Sequence, residues 1–312
     1  MKEAVSKLFN FRKQNERVLY MSNFIIDQKL CTSCGLCVKE CVRHVKIPHQ
    51  KHVNPDNPTC SKCYHCLTVC PNEAIKVKDT DTDIAPDYDE QMLTSINEEN
   101  LKLLFSFRRS HRKYKEKMVD ERILEKLVSA ASYIPSGGNR HSYEFTVIKS
   151  EQVKKALKKE LAAFYARKNT IINNALLRNI AALFTNASTR GFLKDPAYRN
   201  RMKDLFNRIS TGEDPLFYGA PVIMIIHSKE EVPTPKEDSI LAGYNITLMA
   251  QTLGLGTCFV TLAQKAINSS SKCKDILNLR KEDNIHAVLL LGYPSVNYLK
   301  PAPRFKKDFN LL

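Results

Sequence analysis

Eight of the ten cysteines in this 312-residue chain fall between Cys31 and Cys70, in two copies of one spacing. The first copy runs Cys31-x2-Cys34-x2-Cys37-x3-Cys41; the second runs Cys60-x2-Cys63-x2-Cys66-x3-Cys70 and is followed by Pro71. Thiolates are soft donors that take zinc or iron–sulfur centres, and two-residue gaps let successive ones turn toward one compact centre. The last cysteine of each run lies one residue too far along to close the same shell comfortably. Paired Cys-x2-Cys knuckles suffice for a zinc ribbon, so the third cysteine of each run is surplus to tetrahedral zinc. A disulfide framework suits a small secreted chain, and no cleavable signal peptide is readable here. Chance clustering does not repeat a spacing. Two iron–sulfur clusters are the expectation.

With these motifs, residues 22–78 resemble a two-cluster bacterial-type ferredoxin. In that run the fourth cysteine ligates the other cluster. The resemblance implies Cys31, Cys34, Cys37 and Cys70 around one [4Fe–4S] cluster, and Cys60, Cys63, Cys66 and Cys41 around the second. Val42 departs from the pattern, standing where the second copy has Pro71. So small a segment is expected to be held together by its metal centres rather than by a core.

The elements that must position further chemistry lie downstream. Length allows two domains: an extension over 1–21, the cluster domain over 22–78, an acidic linker over 79–99 and a larger domain over 100–312. The linker holds Asp79, Asp81, Asp83, Asp87, Asp89, Glu90, Glu98 and Glu99 without one basic residue. No run of 18 apolar residues is present, so no membrane partner is expected. The first 20 residues mix both charges and lack a long apolar run, and a cytoplasmic location is expected. The formal charge of +15 invites a nucleic-acid reading. Two oxidised clusters would remove about two units each, and a flavin phosphate about two more. Surplus lysines at helical spacing (Lys154, Lys155, Lys158, Lys159) read as a solvated face. With no nucleic-acid motif in view, that partner is not expected.

A helix is predicted over Glu98–Phe107, followed by Arg108-Arg109-Ser110-His111-Arg112-Lys113-Tyr114. Guanidinium forks and a hydroxyl at a helix end suit a phosphate, as they also suit a basic surface turn. Val119, Ile123, Leu124, Leu127, Val128 and Ala131 mark an amphipathic helix with Asp120 as its cap. It ends at Pro135-Ser136-Gly137-Gly138-Asn139, where glycines admit close approach of a flat ligand or simply stop the helix. Phe145–Ile148, Val222–Ile226 and Ala287–Gly292 read as strands, with helical sequence from after Ile148 to about Asn207. Ser239–Leu253 is apolar nearly all round and reads as a central helix. Gly254–Val260 turns from it into another strand. The expected class is α+β with a mixed sheet. Cys258 and Cys273 read as structural thiols, and His111 and His141 as neighbours of the ligand segments.

In order and spacing, residues 100–308 resemble the nitroreductase family, flavoproteins that bind FMN at a homodimer interface. The motifs are Arg-x-Ser-x-Arg-x-Tyr at 108–114, Pro-Ser-Gly-Gly-Asn at 135–139, Ala-Pro-Val at 220–222, Gly-Leu-Gly-Thr at 254–257 and Arg304 in the basic tail. The resemblance implies that Arg108, Ser110, Arg112 and Arg304 hold the phosphate and ribityl chain of FMN. It implies that Pro135, Ser136, Gly137 and Asn139 reach the flavin of the other protomer, and that backbone near Val260, Thr261 and Leu262 faces its reactive edge. Thr261 stands where the family often has glycine, and 150–218 is long for the family, which points to an added lid. The function implied is an iron–sulfur flavoprotein oxidoreductase with no catalytic acid–base side chain. It would pass electrons from reduced ferredoxin or NAD(P)H to a small organic acceptor: a nitroaromatic, a quinone or an activated alkene. The alternative is a module relaying electrons to a partner enzyme.

Overall fold

The computed structural model describes residues 24–43, 51–54, 59–77, 95–185, 187–229 and 233–312. The expected extension over 1–21 lies outside them, as does most of the expected linker. The described residues fall into two compact units. One comprises those up to Val77 with Gly138–Arg140; the other comprises Ser95–Gly137 and His141–Leu312.

The first unit consists of two short strands and two short helices: β1 (Phe24–Ile26), α1 (Leu36–Glu40), α2 (His65–Thr68) and β2 (Ile75–Val77). β1 pairs antiparallel with β2, joining Phe24 to Val77 and Ile26 to Ile75. Its core is small, built on Phe24, Cys37, Val53 and Ile75. The two cysteine runs adopt one backbone plan. Left-handed residues precede and follow the second cysteine in both copies: Ser33 (φ 55°) and Gly35 (φ 79°), then Lys62 (φ 52°) and Tyr64 (φ 56°). The sequence repeat is therefore also a repeat of conformation.

The second unit is a four-stranded sheet covered on both faces. Its elements are α3 (Glu98–Phe107), α4 (Glu121–Ala131), β3 (Glu144–Ile148), α5 (Glu151–Asn173), α6 (Ala175–Leu183), α7 (Ala187–Lys194) and α8 (Pro196–Ser210). They continue with β4 (Val222–Lys229), α9 (Pro235–Thr252), β5 (Gly256–Phe259), α10 (Thr261–Asn268), α11 (Ser271–Ile276) and β6 (Asp283–Gly292). Sheet order is β3-β4-β6-β5. The named strands all pair antiparallel, and the sheet is mixed through the parallel bridge of Ser110 to Thr257.

Strand side chains alternate between faces, and here both faces are apolar. Ile223, Ile225, Val288 and Leu290 meet Leu157, Leu161, Leu205, Ala263 and Ile267 on one side. Val222, Met224, Ile226, Leu289 and Leu291 meet Leu124, Leu127, Ala242 and Ile246 on the other. Burial on both faces explains the unbroken apolar runs in β4 and β6, as it would in a parallel sheet. Asp120 caps α4 by accepting the Arg122 N–H at 2.8 Å, as expected.

The helical sequence expected from after Ile148 to about Asn207 divides into four helices. Asn174 ends α5 and caps α6 by accepting from Leu176 and Leu177. Asp195 caps α8, with Pro196 at its first position. The solvated-face reading also fails at Lys154, which is buried: it pairs with Glu151 and donates to the carbonyls of Ala220 and Pro221. The lid expectation narrows, because Leu157, Leu161, Tyr165 and Leu205 place α5 and α8 in the core. No helix among the described residues is long and apolar enough to cross a membrane.

Candidate functional site

In the first unit the cysteines sort into two cavities. Cys31, Cys34, Cys37 and Cys70 line one; Cys41, Cys60, Cys63 and Cys66 line the other. Each cavity thus takes three thiols from one run and the last thiol of the other. Burial pushes the Cys37 thiol up, and its neighbours Cys31 and Cys34 add to this. Cys66 is pushed up to about 12, first by burial and then by Cys60 and Cys63. Thiols so placed ionise together only with cations among them. Among the described residues no three His, Cys, Asp or Glu side chains converge to hold a single ion. The Ala74 N–H donates to Cys70 Sγ at 3.3 Å.

In the second unit the basic run is pinned along the sheet edge. The His111 N–H donates to the Thr257 carbonyl at 2.8 Å, and the Tyr114 hydroxyl donates to the His111 carbonyl at 2.7 Å. Gly256 admits this approach, since a Cβ there would lie 2.6 Å from His111 Cγ. Arg108, Ser110 and Arg112 gather around Cys258. Burial pushes that thiol up, while Arg112, the Ser110 hydroxyl and Arg108 pull the other way. Among the described residues, two buried nitrogens in the run, Arg109 Nη2 and His111 Nδ1, lack a hydrogen-bond partner. A buried polar atom left unpaired costs about 1–3 kcal/mol. Clustered cations, a hydroxyl and unsatisfied nitrogens fit a multi-oxygen anion. Burial holds His111 below the ordinary histidine range against a hydrogen bond to the Arg109 backbone, and the charges of Arg108 and Arg109 add to the burial.

The remaining predicted residues are distributed unevenly. Val260 donates its N–H to Val288 at 2.9 Å and precedes α10 without a side-chain cap. Thr261 opens that helix, and it is not among the left-handed residues. The Leu262 carbonyl accepts from the Tyr165 hydroxyl at 2.9 Å. Gly137 lies at the start of α9, donating to Thr234 Oγ1 at 3.0 Å and Asp238 Oδ1 at 3.3 Å. Ser136 Oγ accepts the His141 N–H. Asn139 belongs to the first unit, where its amide donates to the Ser61 and Lys62 carbonyls. Arg304 stands exposed in the coil after β6. Cys258 and Cys273 are buried, as expected for structural thiols.

The two groups in the second unit thus flank α9 at opposite ends. Gln251, near its C-terminus, donates to the Leu104 carbonyl just ahead of Arg108, while Gly137 meets Thr234 and Asp238 at its N-terminus. Eighteen residues at 1.5 Å each separate those ends by about 27 Å.

The family comparison decides what this scaffold is. Residues 106–293 match the nitroreductase family. The chain belongs to the nitroreductase family. It is an oxidoreductase of that family. Residues 23–71 match a 4Fe-4S dicluster domain. Among solved structures, the second unit's fold is shared with an FMN-bound nitroreductase of Bacteroides fragilis. That protein is 17% identical, covers 70% of this chain and 99% of its own, and has a TM-score of 0.50. An FMN-bound nitroreductase of Desulfitobacterium hafniense is 20% identical, covers 70% and 100%, and has a TM-score of 0.51. No curated protein matches significantly.

Sequence reasoning missed two features of this nitroreductase scaffold. One is the Tyr165–Leu262 bond. The other is a polar knot at one end of the sheet. There His227 Nε2 meets Thr146 Oγ1 at 3.0 Å, and Arg280 pairs with both Asp283 and Glu144. His227 Nδ1 lies 3.7 Å from Asp283 Oδ2. A histidine inside an apolar run was the one available signal; its partners come from two other stretches of chain, 144–146 and 280–283.

Proposed function

We propose that the first unit holds two [4Fe–4S] clusters and the second FMN, and that the chain passes electrons from a low-potential one-electron donor to a small organic acceptor. The observation that carries this reading is the sorting of the eight cysteines, three from one run and one from the other at each cavity. Bound clusters would supply single-electron exchange, and bound FMN both single- and paired-electron chemistry. Arg108, Ser110 and Arg112 pair with the flavin phosphate, satisfying a site whose neighbours Arg109 and His111 carry unpaired buried nitrogens. Arg304 joins them, and Val260–Leu262 offer backbone to the flavin ring. Those arginines also favour an anionic reduced cofactor.

Pro135, Ser136, Gly137 and Asn139 serve the flavin of a second copy. The separation along α9 supports this, because one small cofactor would have to span the helix to touch both groups within a chain. The outward side of α9 also exposes Ile240, Leu241, Tyr244 and Met249, an apolar face suited to a homodimer partner. Nitroaromatics, quinones and activated alkenes are the acceptor classes in view. Reduced ferredoxin is the favoured donor and NAD(P)H the other.

The test compares donors on the anaerobically purified full chain. Cys66→Ser should abolish most turnover with reduced ferredoxin and spare a larger fraction of any NAD(P)H-driven turnover. Equal loss with both donors would show that the clusters do not feed the flavin.

A further inference from the structure

Asn139 reaches the second cysteine run from far along the chain. Its Nδ2 donates to the Ser61 carbonyl at 3.2 Å and to the Lys62 carbonyl at 3.0 Å. Asparagine in a turn ordinarily bonds its own neighbours; this one does not spend its amide there. The backbone around it is strained, with Gly138 (φ 65°), Asn139 (φ 57°) and His141 (φ 46°) all left-handed. Such a conformation costs about 1–3 kcal/mol at a residue other than glycine and persists where its surroundings hold it. A trans peptide is planar, with its C=O and N–H pointing opposite ways. The Ser61 carbonyl shares its peptide with the Lys62 N–H, and the Lys62 carbonyl shares its own with the Cys63 N–H. Ser61, Lys62 and Cys63 line the cavity of Cys41, Cys60, Cys63 and Cys66, and Asn139 does not. With both carbonyls held outward to Asn139, the two N–H groups face the cavity. Among the described residues neither N–H donates elsewhere. The first run is tied differently, through its leading residue: the Cys31 N–H donates to the Asp27 carbonyl at 3.0 Å. The cavities also differ in charge, with Arg43 and Lys62 lining this one and Lys51 the other. A loop tether needs one bond to any backbone group; bonds to successive carbonyls fix the tilt of the peptides that face the thiols.

We propose that Asn139 is a positioning residue for the cluster of Cys41, Cys60, Cys63 and Cys66, and that it makes this cluster the more readily reduced of the two. This rests on the reading above that the eight cysteines hold two clusters, and gives Asn139 a role beside the one proposed there. Reduction adds negative charge, which N–H groups aimed at the cluster stabilise. Donation from Asn139 to the two carbonyls polarises both peptides and strengthens their N–H groups as donors. Arg43 and Lys62 act in the same direction. An electron given to the pair then settles on this cluster.

The experiment is a potentiometric titration of the anaerobically purified full chain, with the clusters followed by electron paramagnetic resonance and iron counted on the same samples. Asn139→Ala and Asn139→Asp remove the donor. Each should move the higher-potential cluster step downward by up to about tenfold in its equilibrium, ~59 mV for one electron, and leave the lower step in place. Asn139→Gln keeps the donor and should recover most of the shift. With ~8 iron atoms retained, movement of the lower step, of both steps or of neither overturns the proposal. Iron lost from the Ala and Asp variants but kept by the Gln variant supports it, because the amide then holds the site. Equal iron loss in all three overturns it, leaving Asn139 a residue of its loop alone. A wild-type chain without ~8 iron atoms sinks the two-cluster reading and the proposal with it.

Discussion

Gly137 has no room for a side chain: a Cβ would stand 2.1 Å from Thr234 Oγ1, which itself donates to Asp238 Oδ1. Gly137→Ala must displace Thr234 or shift the loop, and should cost about 1–3 kcal/mol of stability. The midpoint of chemical denaturation measures this, and an unchanged midpoint contradicts it. Arg108→Ala should weaken FMN binding by about 1.5–3 kcal/mol, the loss expected of a charge-assisted phosphate bond. Equilibrium dialysis that finds affinity within about twofold of wild type would remove Arg108 from the phosphate site. These two residues also differ in how legible they were. Arg108 belongs to a short run whose proposed chemistry is local, as the repeated cysteines do, because ligation would dictate spacing along the chain. The steric role of Gly137 comes from Thr234, far along the sequence, and no spacing encodes it. Lys154 is the same lesson reversed. Helical periodicity places it beside Lys155 and Lys158, yet only the distant Ala220 and Pro221 carbonyls decide that it is buried.

Among the elements, those with a strong period or a capping residue were legible. The Glu98–Phe107 helix and the Asp120-capped helix stand where the sequence put them, and the central helix, expected from Ser239, starts four residues earlier at Pro235. The division of α5–α8 was not read, although Asp195-Pro196 marks a helix start; Asn174 is a weaker signal because asparagine also occurs within helices. The ends of β3, β4 and β6 carry a different prediction. Burial holds His227 below the ordinary histidine range, with Asp283 and Glu144 opposing and Arg280 assisting. The folded state therefore favours neutral His227, and the unfolded chain binds the extra proton. This contribution is complete above the unfolded value near 6.5 and is lost as pH falls below it. Burial shifts His111 and His141 the same way. Stability should fall between about pH 7 and 5.5, by at most about 1.4 kcal/mol per pH unit for each histidine. His227→Gln should flatten the slope. Thermal melts across that range decide the matter, and an identical slope in the variant would exclude His227.

For the molecule as a whole, the anaerobically prepared chain should carry ~8 iron atoms, two [4Fe–4S] clusters, with one FMN. Stoichiometric zinc, or ~4 iron atoms with Cys41 and Cys70 replaceable by serine without effect, contradicts the two interleaved sets. The apolar, doubly covered sheet was legible as a class, because buried strands lack polar alternation. Sheet order was not, since β5 and β6 are joined through two helices and pairing follows packing rather than sequence order. The placement of Gly137 and Arg108 at opposite ends of α9 has a consequence that can be read genetically. If each cofactor takes one end from each copy, Arg108→Ala and Ser136→Glu chains are each defective alone. Mixed together, they assemble dimers in which one site collects both lesions and the other has none. Co-expression should therefore restore about half of the wild-type flavin content in the mixed dimers, a rescue that a site confined to one chain could not give.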